Sequence, residues 1–324
     1  MADRDLGEQL VKYLTDVHSI EEQALTQMRR APEIAGDPEI AEAFAQHLHE
    51  TERQEQRVRA LLESGGEVPS KVKDIAGRAG GMGMLLFAKF QPDTPGKLVA
   101  HAFSYEHMEV AAYELLRRVA ERAGSTETAA VASDIGAEER RMAGRLESLF
   151  DRAVDASLRD IGRDDLSEQT RKYLADAHAV EMQAIQMLER APKITEPADL
   201  AALYEEHLEE SRGHEVRVRG RLESMGGSTS FVKDAAMRLG ALNWGAFFQA
   251  QPDTAAKLAG FAYAFEHLEI GGYEQLKRVA RRADDEETIR VVDAILAEER
   301  TAAERIAARW DEALDASLAQ VVEA

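Results

Sequence analysis

The sequence predicts an all-α protein made of two tandem four-helix bundles, on the strength of three observations: its composition, an internal duplication, and the placement of helix-breaking residues. Ala, Glu, Arg and Leu dominate, while aromatics make up 6% of the 324 residues and prolines number 8, so strand formers are too sparse for a sheet. Slid along itself, the chain matches without gaps from Asp5 onto Asp165 to Leu158 onto Leu318, an offset of 160 (165 less 5). Tyr13-Leu14 returns as Tyr173-Leu174, Gln91-Pro92-Asp93-Thr94 as Gln251-Pro252-Asp253-Thr254, and Ala137-Glu138-Glu139-Arg140 as Ala297-Glu298-Glu299-Arg300. Two such long copies indicate two whole domains, residues 1–160 and 161–324, rather than a solenoid.

Punctuation divides the first half into five helical segments. The first long helix runs from about Leu6 to Ala31, because Pro32 cannot continue it and biases its predecessor toward extended geometry. The second starts at Asp37-Pro38, an N-cap acceptor followed by proline at the first helical position, and stops at Gly65-Gly66. Ser70 can cap a connecting helix through Phe90, weakened by Gly77, Gly80, Gly81 and Gly83. Thr94-Pro95 opens the third long helix, which ends near Gly124; the fourth begins at Ser125 or Thr126 and runs to about Leu158. Two short turns flanking one long connection are the connectivity of ferritin-like folds. Arg159 to Ser167, containing Gly162, reads as the linker between the domains.

Charge and cysteine content exclude several functions. With 40 basic and 60 acidic residues, the formal charge is −20, so the field of the protein repels a phosphate backbone or an anionic membrane surface. Neither nucleic acid nor a membrane is an expected partner. The chain has no cysteine, which removes disulfides, thiolate zinc sites, iron–sulfur clusters and cysteine nucleophiles together. Any metal chemistry must use oxygen and imidazole ligands. Met1 to Glu8 is polar, no stretch approaches the roughly 20 apolar residues of a membrane span, and a cytoplasmic location is the expectation.

The functional signal lies in the apolar stripes, which charged residues interrupt at matching places. On the first helix the stripe reads Leu10, Leu14, Val17, Glu21, Ala24, Met28, repeated as Leu174, Ala177, Glu181, Ala184, Leu188. The second reads Ile40, Phe44, His47, Glu50 or Thr51, Gln54, Val58, against Leu200, Tyr204, His207, Glu210 or Ser211, His214, Val218. The third carries Ala102, Glu106, Glu109, Tyr113, Leu116 and, in the copy, Ala262, Glu266, Glu269, Tyr273, Leu276. The fourth offers Glu138 or Glu139 between Ile135 and Met142, and Glu298 or Glu299 in the copy; spacing does not choose between neighbours. Two carboxylates about 4 Å apart repel by roughly 4 kcal/mol at an effective dielectric of 20, so an inward cluster must bind protons, pair with cations or coordinate metal. Glu and His facing inward from four helices is how di-iron and di-manganese bundles are built, with iron the first expectation and manganese the alternative. The opposing reading places these glutamates at stripe edges, where they reach solvent. Against it stands the duplication, which keeps Glu21, His47, Glu50, Glu106, Glu109, Glu138 and Glu139 while changing their neighbours.

Histidines divide by position. His18 (His178), three residues before Glu21, is a ligand, a partner to a ligand, or a stripe-edge residue, while His47 (His207) is a core histidine or a ligand. His107 (His267) shares a face with Phe103 and suits packing, and His49 and His101 change to Glu209 and Phe261. Tyr113 (Tyr273) is a core tyrosine or a hydrogen-bond donor to a ligand.

These residues resemble the ferritin-like bacterial stress proteins typified by YciE and YciF, here in tandem. The run Glu106-His107-Met108-Glu109-Val110-Ala111-Ala112-Tyr113 carries most of the likeness, with Leu14, Asp16, Glu21 and Gln23, His47-Leu48 with Glu50-Thr51, and Glu138-Glu139 in support. The resemblance implies a rubrerythrin-like bundle, a dinuclear iron site and a stress-linked role. The sequence departs from many di-iron bundles, which place Glu and His three apart on the second and fourth helices: Glu210 and His214 are four apart, Gln54 replaces that histidine in the first half, and the fourth helix has none. Three functions stay open: a redox metalloprotein acting on oxygen or hydrogen peroxide as ferroxidase, peroxidase or catalase, a metal-binding or storage protein, and a metal-free interaction module. A homo-oligomer is compatible with each. The sequence also predicts unequal halves, since imidazole at 214 is a better ligand than the amide at 54.

Overall fold

The computed structural model describes residues 3–64, 94–228 and 254–323. Among them every regular element is helical and there is no strand. The chain forms two compact units, Met1–Arg159 and Asp160–Ala324. The expected connecting helix, Ser70 to Phe90, lies outside the described residues. No helix among the described residues is long and apolar enough to cross a membrane.

Unit 1 contains α1 (Asp3–Met28), α2 (Ala31–Ile34), α3 (Pro38–Ser64), α4 (Thr94–Arg122), α5 (Thr126–Ser148) and α6 (Phe150–Ser157). The four long helices pack as a ring in which α1 and α5 each touch both α3 and α4. Contacts at one end fix the helix directions. A Cβ on Gly36, before α3, would come 2.7 Å from Pro95 Cγ at the start of α4. The Gly96 N–H donates to Ser157 Oγ at the end of α6 (2.9 Å), and Arg152 pairs with Asp37 (3.2 Å). Thus α3 and α4 start at the same end, and Ser64 and Thr94 stand at opposite ends of a bundle about 40 Å long at 1.5 Å per residue. This is a four-helix bundle with one crossover.

Capping sets the boundaries. Asp37 accepts from the backbone N–H groups of Glu39 (2.9 Å) and Ile40 (3.2 Å), satisfying donors that the first turn of α3 leaves unpaired. Two boundaries differ from the sequence reading. The first helix stops at Met28, and Pro32 sits inside the short α2, because proline at a helix start needs no N–H partner. The fourth helix is broken: the Leu149 N–H bonds three residues back to Leu146 O (3.0 Å), a tighter turn that swings α6 onto α4. The break buries Phe150 against Phe103, ring centroids 5.3 Å apart.

Unit 2 repeats the plan with α7 (Leu166–Leu188), α8 (Ala198–Ser224), α9 (Thr254–Arg282), α10 (Glu286–Ala307) and α11 (Trp310–Glu323), plus short 3-10 turns at Arg163–Asp165 and Ala191–Lys193. Trp310 takes the place of Phe150 and packs on Tyr263 at 5.4 Å. Asp285 caps α10 through the Thr288 N–H (3.0 Å) and also holds Arg221 (2.7 Å).

Candidate metal centres

The stripes that build the bundle also build a polar layer inside it. On α1, Leu14, Val17, Ala24 and Met28 are buried, and Glu21, on the same face, is 0% exposed. On α3, His47, Thr51, Gln54 and Val58 follow one another inward. Thr51 thereby takes the position that spacing left open to Glu50, and its hydroxyl donates to His47 O (3.0 Å). On α4, Glu106, Glu109 and Tyr113 share the buried face, and on α5 Ile135, Glu139, Met142 and Leu146 do.

In unit 1, ligand-type atoms of His47, Glu106, Glu109 and Glu139 lie within 4.8 Å of one another. His47 Nε2 stands 3.2 Å from Glu106 Oε2 and 3.6 Å from Glu139 Oε2. Its other nitrogen, Nδ1, is 3.2 Å from Oε2 of the partly exposed Glu50, which fixes the ring so that Nε2 faces the cluster. Of the α5 pair, Glu139 faces inward, whereas Glu138 sits at the edge, accepting from Gln54 Nε2 (3.0 Å) near Arg57 (3.8 Å). Gln54 Nε2 also donates to Glu139 Oε1. Glu21 receives the Tyr113 hydroxyl on Oε1.

Unit 2 has the same four-residue group, His207, Glu266, Glu269 and Glu299, and beside it a second group, Glu181, His214 and Glu299. His207 Nε2 is 2.9 Å from Glu266 Oε2, and its Nδ1 is held by Glu210 (3.1 Å). His214 Nδ1 approaches Glu299 Oε1 (2.7 Å) and Glu181 Oε1 (3.5 Å), while its Nε2 is held by Glu298 (2.7 Å). Arg217 pairs with Glu298 in turn, and the Tyr273 hydroxyl donates to Glu181. Glu50, Glu210, Glu138 and Glu298 therefore surround the buried groups, and Glu50, Glu210 and Glu298 hold the imidazoles.

Sequence reasoning singled out His18 but missed the group it forms with Glu22 and Glu55, the fourth among the described residues. His18 Nε2 is 3.0 Å from Glu55 Oε1, and Arg59 bonds the same oxygen from Nε at 2.7 Å. Arg59 already supplies the positive charge these carboxylates need. The signal lay in the duplication, because His178, Glu215 and Arg219 repeat the contacts while Met182 replaces Glu22. His107 stacks edge-on against Phe103 at 4.5 Å and bonds Phe103 O, a packing arrangement.

Electrostatics set these clusters apart from the rest of the core. Burial, with repulsion from neighbouring carboxylates, holds Glu109, Glu139 and Glu269 well above the usual carboxylate range. Burial raises Glu21 to about 8 despite the Tyr113 bond, and Glu299 to about 7 despite the His214 contact. Burial alone would lower His47, but Glu106, Glu50 and Glu139 outweigh it and raise the imidazole well above its ordinary value. Neither oxygen of Glu106, Glu266, Glu269 or Glu299 has an aligned hydrogen bond. Buried acceptors without donors are rare and costly. A divalent cation would neutralise them, and an oxygen and imidazole donor set suits iron, manganese or zinc. The buried His/Glu clusters could hold a metal ion.

Fold and site together define a tandem helical-bundle protein with potential metal-binding groups in both cores. Residues 5–159 and 166–319 each match the family described as a domain of unknown function, DUF892, and the chain belongs to that family. No solved structure matches the chain.

Proposed function

We propose that both units are carboxylate-rich iron or manganese centres of the ferritin-like kind found in YciE- and YciF-type stress proteins, serving iron oxidation or oxygen and peroxide chemistry in the cytoplasm. The observation that carries this reading is the convergence of buried carboxylate oxygens lacking hydrogen bonds on an imidazole nitrogen that an outer carboxylate holds in place. In unit 1, His47, Glu106, Glu109 and Glu139 would hold the ion; in unit 2, His207, Glu266, Glu269 and Glu299, with Glu181 and His214, would do so. A bound redox metal supplies one-electron chemistry toward oxygen or peroxide. The chain's own contribution is to exclude water, fix the imidazoles through Glu50, Glu210 and Glu298, and place the Tyr113 and Tyr273 hydroxyls on Glu21 and Glu181. Glu50 and Glu210 belong to the positioning group on this reading, and Gln54 is a hydrogen-bond donor.

The test is elemental analysis of untagged protein grown with iron or manganese, followed by assays of ferrous oxidation and peroxide consumption. Glu109→Ala and Glu269→Ala are each expected to empty their own unit. Trace metal only, after supplementation, would overturn the proposal in favour of a metal-free bundle. Full loading without turnover would restrict it to binding or storage.

A further inference from the structure

We infer that the two units differ in capacity, unit 1 holding a single cation and unit 2 a pair bridged by Glu299, and that the residue deciding this is Gln54 in one and His214 in the other. The inference rests on the metal-centre reading above and concerns how many ions each centre takes.

In unit 2 the two ligand groups share one residue, Glu299, and its two oxygens face different imidazoles. Oε2 lies 3.9 Å from His207 Nε2, and Oε1 lies 2.7 Å from His214 Nδ1. A carboxylate with one oxygen toward each of two nitrogen-bearing positions is disposed to bridge two ions. Glu298 and Arg217 secure the second position from outside: with Nε2 of His214 bonded to Glu298, Nδ1 is left facing Glu299 and Glu181. Glu181, Glu266, Glu269 and Glu299 are all 0–2% exposed, and each has at least one oxygen without an aligned hydrogen bond.

Unit 1 keeps the first position and lacks the second. Glu139 Oε2 faces His47 Nε2 at 3.6 Å, as Glu299 Oε2 faces His207. Its Oε1, the oxygen corresponding to the one that meets His214, instead accepts from Gln54 Nε2. An amide nitrogen has no available lone pair for a metal, and here Gln54 Nε2 donates to Glu139 Oε1, an oxygen of the carboxylate that would bridge, and to Glu138 at the edge. Among the described residues, no group of three ligand-type side chains forms around Glu21, although its counterpart Glu181 belongs to one.

The experiment uses the full-length chain, stripped with chelator, loaded with Mn(II) and dialysed, with manganese counted per chain and its electron paramagnetic resonance recorded. The wild type is expected to retain roughly three ions and show the exchange-coupled signal of a pair alongside a single-ion signal. His214→Gln is expected to lose the coupled signal and about one ion, and Gln54→His to gain about one ion and enlarge the coupled signal. Gln54→His guards against a trivial fold defect, since a damaged core would not gain metal, and circular dichroism checks both variants. Equal numbers of ions in both units, or a coupled signal unchanged in His214→Gln, would overturn the inference while leaving the metal-centre reading intact. A chain that retains no metal would overturn both.

Discussion

The most direct physical test concerns the cost of holding carboxylates in the core without metal, and Glu21→Gln isolates it. Glu21 is 0% exposed, bonded by Tyr113 on one oxygen, and its pKa stands at about 8 against an ordinary 4.5, with burial the main cause. Below pH 4.5 the folded and unfolded chains both carry the proton. Between 4.5 and 8 only the folded chain keeps it, so this group's contribution is lost as pH rises, at about 1.4 kcal/mol per pH unit. From pH 5 to pH 7 Glu21 alone should therefore cost the metal-free unit 1 roughly 3 kcal/mol, a large share of the 5–15 kcal/mol typical of a domain. Glutamine has the shape of the protonated acid and can still accept from Tyr113. The variant should match the wild type at pH 5 and exceed it by about 3 kcal/mol at pH 7. The assay is urea unfolding of chelator-treated full-length protein across this range, followed by far-ultraviolet circular dichroism. Both tryptophans, Trp244 and Trp310, lie in the second half, so fluorescence follows unit 2 as an internal control. Superimposable pH profiles for the two proteins, or a variant less stable at pH 7, would refute the reasoning.

The opposite pH dependence is expected at Glu114, which Arg117 (2.8 Å), Arg118 and Arg140 (3.1 Å) surround. Burial opposes their pull, yet the arginines win and lower its pKa to about 2, so its stabilisation is present above 4.5 and fades as pH falls toward 2. Because the site is partly solvated, Glu114→Gln should cost only about 1 kcal/mol at neutral pH, leave metal content unchanged and flatten acid unfolding. Two glycines separate backbone need from chance. Gly36 has φ +69° and a Cβ would meet Pro95 Cγ at 2.7 Å, so Gly36→Ala should lower the melting temperature, by more than about 1 kcal/mol in stability terms; Gly144, inside α5 with nothing within 4 Å, should gain up to about 1 kcal/mol as alanine.

The sequence made the helices, the duplication and the buried carboxylates legible because all three are periodic properties. Glu21, Glu106 and Glu109 sit on stripes whose other members are apolar, and helical spacing alone turns them inward. It could not separate neighbours. Glu138 and Glu139 are about 100° apart around a helix, and both fit a stripe of finite width until the packing of α3 and α4 determines which one faces in. Likewise Glu50 and Thr51 compete for one position, and Thr51 takes it: its hydroxyl is satisfied within its own helix by donating to His47 O, while Glu50, acceptor-only when ionised, stays partly exposed against His47 Nδ1. The break at Leu149 was invisible because neither proline nor glycine marks it; its cause is tertiary, the burial of Phe150 on Phe103. Contacts among side chains on different helices, such as His18 with Glu55, have no local period at all.

What differs between the halves also changes how each core survives without metal. In unit 1 Gln54 is neutral, so among the described residues His47 is the one imidazole in the group with Glu106, Glu109 and Glu139, and burial, with mutual repulsion, holds the Glu109 and Glu139 carboxyls well above the usual range. In unit 2 burial would discharge His214, but Glu181 and Glu299 outweigh it and raise its pKa to about 10, giving that core a second internal cation. The shared carboxylate feels that cation: burial raises Glu299 to about 7, partly offset by His214, while the Glu139 carboxyl, raised by burial and by Glu106, is pulled down by His47 alone of the two imidazole positions. One substitution thus alters two properties through the same atom. An imidazole at 214 compensates buried charge as a cation when metal is absent and offers a nitrogen lone pair when metal is present, whereas the amide at 54 carries no charge and its nitrogen, with no available lone pair, donates to Glu138 and Glu139.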